Sequence, residues 1–497
     1  MKLDPSTQFA FNLGRSPLIM KNVPRCASWL LFSLLLIPNV ARSQPLWPQF
    51  RGPGGLSVAT QGKPPVHFGP ASNLLWKTSL PSGNSSPSIW GGRIFITGFD
   101  KQKLETICLD RSNGKILWRQ VAPASKIEPS HPISSPACPT PATDGSRVYV
   151  YFGSFGLLCY DMDGMEIWRK PIPIPIVEFG SGTSPVLAGE LLILNCDQDI
   201  NSFLLAVDRT TGKEVWRVER SEFRRGFATP LVWRHDNTEE LVVPGSLWLK
   251  SYDVKSGKER WTYRGTSRVA CSSPAAGDDM LFSGSWNIGG DEGERITMPR
   301  FSDVVLEYDK NNDHKFSLDE LPKGPIRERF TQIDVNKDHL VTAQEWNDMA
   351  DAFAKAENVV LGIRAGGRGD ITKTHLGWKQ TRSLPYVSSP LYYRGRLHTI
   401  KNGGLASAYE GKSGKILYQD ERLGAIGDYY SSAVAGDGRI YAASQKGKVI
   451  VFEASDYLNV VARNDLGEDV MATPAIAENR IYYRTAGHLY AFGEKED

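Results

Sequence analysis

The sequence predicts an all-β protein, an eight-bladed β-propeller with a small α-helical insertion after its fifth repeat. Three observations lead there. A Ser/Thr-Pro element recurs along the chain, an Asp-x-x-x-Gly-Lys-x-x-Trp element recurs in the same phase, and one gap between repeats is far too long and holds two acidic loops. Units of about 40–50 residues with four short strands each read as blades, because one blade cannot cover its own apolar faces and a closed ring of them can.

The first element appears at Ser86-Pro87, Thr140-Pro141, Ser184-Pro185, Thr229-Pro230, Ser273-Pro274, Ser389-Pro390 and Thr473-Pro474, with Ser432-Ala433 filling the remaining place. Successive copies lie 41 to 54 residues apart, except for one gap of 116. The second element runs Asp110…Gly114…Trp118, Asp208…Gly212…Trp216, Asp253…Gly257…Trp261 and Glu410…Gly414…Tyr418, with a looser copy at Asp161…Gly164…Trp168. Strands of the Trp type fall at Trp76, Trp118, Trp168, Trp216, Trp261, Trp378, Tyr418 and near Val460-Val461, which makes eight. The chain opens on a Trp-type strand and closes on Ile481-Tyr482-Tyr483 and Leu489-Tyr490-Ala491-Phe492. Leu74-Leu75-Trp76 is therefore expected to complete the last blade, and closure removes the exposed sheet edges that invite aggregation.

The long gap holds two twelve-residue loops, Asp309–Glu320 and Asp334–Glu345. Oxygen-bearing side chains stand at positions 1, 3, 5, 9 and 12, the ligand order of an EF-hand, in which a hard cation takes oxygens from alternating positions and a final bidentate carboxylate. The expected ligands are Asp309, Asn311, Asp313, Ser317 and Glu320, with the carbonyl of Lys315, and Asp334, Asn336, Asp338, Thr342 and Glu345, with the carbonyl of Leu340. The pattern implies two calcium ions. Phe301, Val304, Val305 and Tyr308 lead into the first loop at helical spacing, and Trp346, Met349, Ala350 and Phe353 leave the second in the same way. Phe316 and Val341 hold position 8, where paired loops join by a short β-bridge. His314 and His339 occupy position 6, where the turn needs a positive φ and glycine is usual, so weak to moderate affinity is expected.

Domain boundaries follow: residues 44–290 and 359–497 as two parts of the propeller, and residues 291–358 as the insertion. The insertion holds 16 acidic and 9 basic residues. The chain as a whole is near neutral, with 58 Lys+Arg against 55 Asp+Glu, and its basic residues are too scattered for nucleic acid. Residues 1–43 read as a secretory signal. Lys21 and Arg25 precede an apolar run from Trp29 to Ile37 and an Ala41-Arg42-Ser43 cleavage site, with Met20 as an alternative start. The apolar run is too short to span a bilayer. Periplasmic or extracellular residence is expected, with no transmembrane segment after signal removal. Cys108, Cys138, Cys159, Cys196 and Cys271 remain beyond it, an odd number with no C-x-x-C.

The Asp-x-x-x-Gly-Lys-x-x-Trp repeat resembles the tryptophan-docking motif of pyrroloquinoline-quinone-repeat propellers, a group that includes quinoprotein dehydrogenases and the non-catalytic outer-membrane assembly factor B. The opening Trp47-Pro48-Gln49-Phe50-Arg51-Gly52-Pro53 is similar to the start of secreted members from planctomycete-like bacteria. The resemblance implies that the tryptophans pack blade on blade and do no chemistry. It also implies that a dehydrogenase would add a calcium-bound quinone in the central funnel, a catalytic Asp and often adjacent cysteines. No adjacent cysteines occur and no catalytic residue is identified. The repeated serines read as strand-start devices. Arg224-Arg225 could meet an acidic ligand but reads more readily as a solvated loop, and the calcium loops are expected to lie outside the ring. The expected function is a secreted, calcium-binding, non-enzymatic propeller with a protein or polymer ligand on one face. Pyrroloquinoline quinone is not expected, and the alternative is a quinone-dependent dehydrogenase of alcohols or sugars.

Overall fold

The computed structural model describes residues 46–291, 293 and 295–494. The expected signal segment lies outside the described residues. Eight sheets, each built on four antiparallel strands, form the ring. In blade three the strands are Val186–Ala188, Leu191–Cys196, Phe203–Asp208 and Glu214–Glu219, hydrogen-bonded in that order. The two middle strands are buried almost throughout. They are covered on both faces by neighbouring blades, so continuous apolar runs such as Leu-Ile-Leu and Leu-Leu-Ala-Val form them. The outer strand keeps only Trp216 buried, because its flanking residues meet solvent.

Leu74–Ser79 pairs antiparallel with His488–Phe492, Trp76 opposite Ala491, so a strand from the start of the chain completes blade eight as the sequence predicts. The inner strands of successive blades lie side by side around the axis, including Ser88–Trp90 of blade one against Ala475–Ala477 of blade eight.

Each docking tryptophan joins its blade to the next. The indole Nε1 of Trp76 donates to Arg111 O at 3.0 Å, Trp118 to Met162 O at 2.9 Å, Trp168 to Arg209 O at 3.1 Å, Trp216 to Val254 O at 3.1 Å and Trp378 to Gly411 O at 2.8 Å. These carbonyls belong to the turn that follows the motif Asp or Glu. The turn's glycine is required twice over at Gly212. Its φ is +69°, and a Cβ there would stand 2.6 Å from the Trp168 ring. Trp261 departs from the pattern and donates to Glu240 Oε2 at 3.0 Å within its own blade. Blade five lacks a Gly-Lys turn, and Gly369–Asp370 from its third connection instead adds in parallel to the outer strand Glu259–Arg264 of blade four.

The insertion joins Met280–Ser285 to Val359–Arg364, the second and third strands of blade five. These strands pair with Ser285 opposite Val359, so the inserted chain replaces a hairpin turn and leaves the ladder intact. Asn287 N donates to Asn358 Oδ1 and Asn358 Nδ2 to Asn287 O, both at 2.9 Å, which clamps the neck. Beyond it come α1 (Phe301–Tyr308), α2 (Phe330–Ile333) and α3 (Ala343–Lys355). Lys315–Ser317 and Leu340–Thr342 pair antiparallel with Phe316 opposite Val341. Phe301, Phe316, Phe330, Ile333, Trp346 and Phe353 form the insertion's own apolar core.

Candidate functional site

The ring axis is lined by a belt of hydroxyls, one from each Ser/Thr-Pro or Ser-Ala element. Ser86 N donates to Thr140 Oγ1, Thr140 N to Ser184 Oγ, Ser184 N to Thr229 Oγ1 and Thr229 N to Ser273 Oγ. Ser273 N then donates to Ser389 Oγ, Ser389 N to Ser432 Oγ and Ser432 N to Thr473 Oγ1. All seven bonds are 2.9 or 3.0 Å long. The inner strand would otherwise leave an N–H unpaired at the axis, and the hydroxyl of the next blade satisfies it. The repeated Ser/Thr is thus a blade-to-blade connector, in keeping with a structural reading over a nucleophilic one.

The opening segment crosses one end of this axis. Thr143 N donates to Pro48 O at 2.8 Å, and Ser57 O accepts from Ala435 N at 2.8 Å. Arg51 is fully buried and donates to Ser57 Oγ at 2.8 Å, Ser273 O at 3.2 Å, Pro274 O at 2.7 Å and Pro390 O at 2.7 Å. Burial lowers its pKa to about 9. Gly52 keeps the segment tight, because a Cβ would stand 2.5 Å from the Trp47 ring.

A chamber of about 610 Å³ lies between this plug and the insertion, with Phe50 from the plug, the whole hydroxyl belt, and Glu328, Arg329 and Gln332 of the insertion among its lining. The insertion therefore packs against the ring at the axis, a placement the sequence leaves open. Lys337 Nζ lies 3.6 Å from Asp199 Oδ2, and Arg268 Nη1 donates to Gln332 Oε1 at 3.4 Å. Arg225 is buried and forms a two-pronged pair with Asp199, both bonds 2.7 Å, with Glu178 at 2.8 Å. Arg225 is thus chamber wall and not part of a solvated loop, and the acids that hold it are distant in sequence. Cys138 and Cys271 also line the chamber, as free thiols that burial pushes up to about 11 and about 12. Such thiols are poor nucleophiles at neutral pH. Cys108, Cys159 and Cys196 are likewise free.

In the insertion, the first carboxylate of each loop caps its turn. His314 N donates to Asp309 Oδ2 at 2.9 Å and His339 N to Asp334 Oδ2 at 3.1 Å, with both histidines at positive φ, +59° and +67°. The closing glutamates face back across their loops. Glu320 accepts from Lys310 N and Ser317 N at 3.0 and 2.7 Å, and Glu345 from Val335 N and Thr342 N at 3.0 and 2.9 Å. The bonds from Ser317 hold the Glu320 carboxyl below its ordinary range. Asn311 Nδ2 donates to Asp313 Oδ2 and Asn336 Nδ2 to Asp338 Oδ2, both at 3.1 Å. Lys315 and Leu340 sit in the bridging strands. Among the described residues no group of three or more His, Cys, Asp or Glu is placed to hold a metal ion. One loop carboxylate keeps a buried oxygen unpaired. Asp334 is 2% exposed, and its Oδ1 is buried with no hydrogen-bond partner.

Residues 66–198 and 126–275 match the family profile described as outer membrane protein assembly factor BamB. No curated protein matches the chain. Among solved structures the chain is similar to BamB from Moraxella catarrhalis at 12% identity and TM-score 0.52, covering 84% of this chain and 100% of that one. It is similar also to a europium-containing methanol dehydrogenase at 9% identity and TM-score 0.56, covering 91% and 99%. The quinohemoprotein alcohol dehydrogenase from Comamonas testosteroni gives 12% identity and TM-score 0.51, covering 92% and 82%. These likenesses establish the eight-bladed propeller fold, which hosts both an assembly factor and oxidoreductases. Among the described residues no helix is long and apolar enough to cross a membrane.

Proposed function

We propose that this is an exported, calcium-binding propeller that holds a partner without catalysis, with the insertion acting as an EF-hand pair fixed on the ring. The observation that carries the reading is the unpartnered, buried Asp334 Oδ1 at position 1 of a loop with EF-hand ligand order. A buried carboxylate oxygen without a partner is costly, and a divalent cation satisfies it. Asp309, Asn311, Asp313, the Lys315 carbonyl, Ser317 and Glu320 would hold one ion, and the corresponding residues of the second loop the other. The protein or polymer partner is proposed to meet a propeller face, and residues 1–43 to direct export to the periplasm or beyond.

The test is a thermal melt in millimolar calcium and in chelator, with calorimetry of calcium binding. Ligand binding to the folded state raises the midpoint by mass action, by about 2.7 kcal/mol when the ion is at a hundredfold excess over its Kd. Identical melts and no heat of binding would remove calcium from the account.

The second reading is a quinone-dependent dehydrogenase, favoured by a cofactor-sized chamber on the ring axis. The wall does not suit it well. Glu328, from the insertion, is the one carboxylate among the described lining residues, and the thiols there are unpaired. Dye reduction with alcohols or sugars after addition of pyrroloquinoline quinone separates the two readings.

A further inference from the structure

Arg268 lies on the connection between the outer strand of blade four and the inner strand of blade five, directly beneath the insertion. Its guanidinium stands 5.3 Å over the ring of Phe353 in α3, and Nη1 reaches Gln332 of α2. Its Nε is buried with no acceptor. Burial is the main cause that lowers its pKa to about 10, and the neighbouring guanidiniums of Arg329 and Arg225 lower it further. Arg225 is fully occupied by Asp199 and Glu178, whereas Arg329 donates to the Pro325 carbonyl. Nη1 of nearby Arg224 is also buried without an acceptor. The wall thus gathers the guanidiniums of Arg225, Arg268 and Arg329 against one lining carboxylate, Glu328, with Asp199 and Glu178 engaged by Arg225. A desolvated cation without a counter-charge is unfavourable, and an anion bound by a guanidinium fork relieves it.

Beside these arginines and the hydroxyl belt, the lining carries an apolar and aromatic part: Phe179, Phe227, Val269, Ile288 and Tyr386. At about 610 Å³ the chamber is in the size range of small-molecule sites. We infer that the chamber binds a small organic anion, a carboxylate or phosphate on an apolar body, with Arg268 of the ring gripping the anionic group and Arg329 of the insertion closing over it. The site exists only because the insertion roofs the ring, and it does not depend on whether the loops hold calcium.

The test is calorimetric titration of the full chain with 2-naphthoate and 2-naphthyl phosphate, with uncharged 2-naphthamide as control. Either anion is expected to bind at least about tenfold more tightly than the amide, since a desolvated charge-assisted pair contributes well over 1 kcal/mol. The anion that binds more tightly tells carboxylate from phosphate. Arg268→Gln is expected to remove about tenfold of that preference, and Arg329→Gln a severalfold part of it, with thermal melts reporting that both variants fold. Equal binding of anion and amide overturns the inference, as does no binding of either anion at millimolar concentration or wild-type preference in Arg268→Gln. Calcium titration of the same samples reads the ion sites separately, so loss of anion binding with calcium binding retained rejects this inference alone.

Discussion

Replacing Gly212 with alanine puts a methyl group where the indole of Trp168 sits. Two costs combine. The backbone is at φ +69°, where an L-residue costs about 1–2 kcal/mol. The new Cβ would stand 2.6 Å from Trp168 Cε3 and 2.7 Å from Cδ2, so the ring must move. Overpacking a tight contact costs about 1–3 kcal/mol, and stretching the 3.1 Å bond from Nε1 to Arg209 O removes about 1 kcal/mol more. The expected loss is roughly 3–6 kcal/mol, by the same reckoning. Gly189→Ala is the matched control, with φ +58° and nothing within 4 Å of its Cβ, so it bears only the backbone cost of about 1–2 kcal/mol. Urea denaturation followed by tryptophan fluorescence compares the two midpoints at equal slope. If the two variants fall within about 0.5 kcal/mol of each other, the indole contact is not what the turn glycine serves, and the argument fails.

Three further outcomes are expected. Glu128 is buried, accepts from Ser181, leaves Oε1 without a partner, and is pushed up to about 7 by burial. The folded state therefore holds a proton that the unfolded chain releases near pH 4.5. The stability present at acid pH is lost as pH rises toward and through 7, by an amount on the order of 3 kcal/mol, and Glu128→Gln should flatten this slope in denaturation midpoints at pH 5 and pH 8. Thr229→Val keeps the shape of the belt but strands the N–H of Ser184, so a loss of about 1–3 kcal/mol is expected in urea denaturation. Glu345→Gln should abolish one of two calcium heats in calorimetry while leaving the calcium-free melt within about 1 kcal/mol of wild type.

The ring was legible because its signals are local and repeated. Most blades carry the same Ser/Thr-Pro start and Trp strand, and the unmatched Trp76 strand at the beginning already implied a partner at the end. The insertion's helices followed from spacing alone. Its position did not, because the contacts that seat it join residues far apart. Gln332 lies 64 positions from Arg268, and no pattern around either names the other. Arg51 escaped for a different reason. Its acceptors are main-chain carbonyls, which every residue has, so no sequence feature distinguishes them. Glu240 belongs with these. It substitutes for a missing turn beneath Trp261, and the absence of Gly-Lys in blade five was the only hint.

The plug sets the order in which the molecule can mature. Pro390, which accepts from Arg51, is 339 residues further along the chain, and the strand that seals the ring waits for His488–Phe492. A chain emerging N-terminus first carries a guanidinium short of its last acceptor until Pro390 is delivered, and a strand without its neighbour until His488–Phe492 follows. Both ends are then captured together. A product that lacks His488–Phe492 keeps seven blades, yet leaves the strand Leu74–Ser79 without its partner.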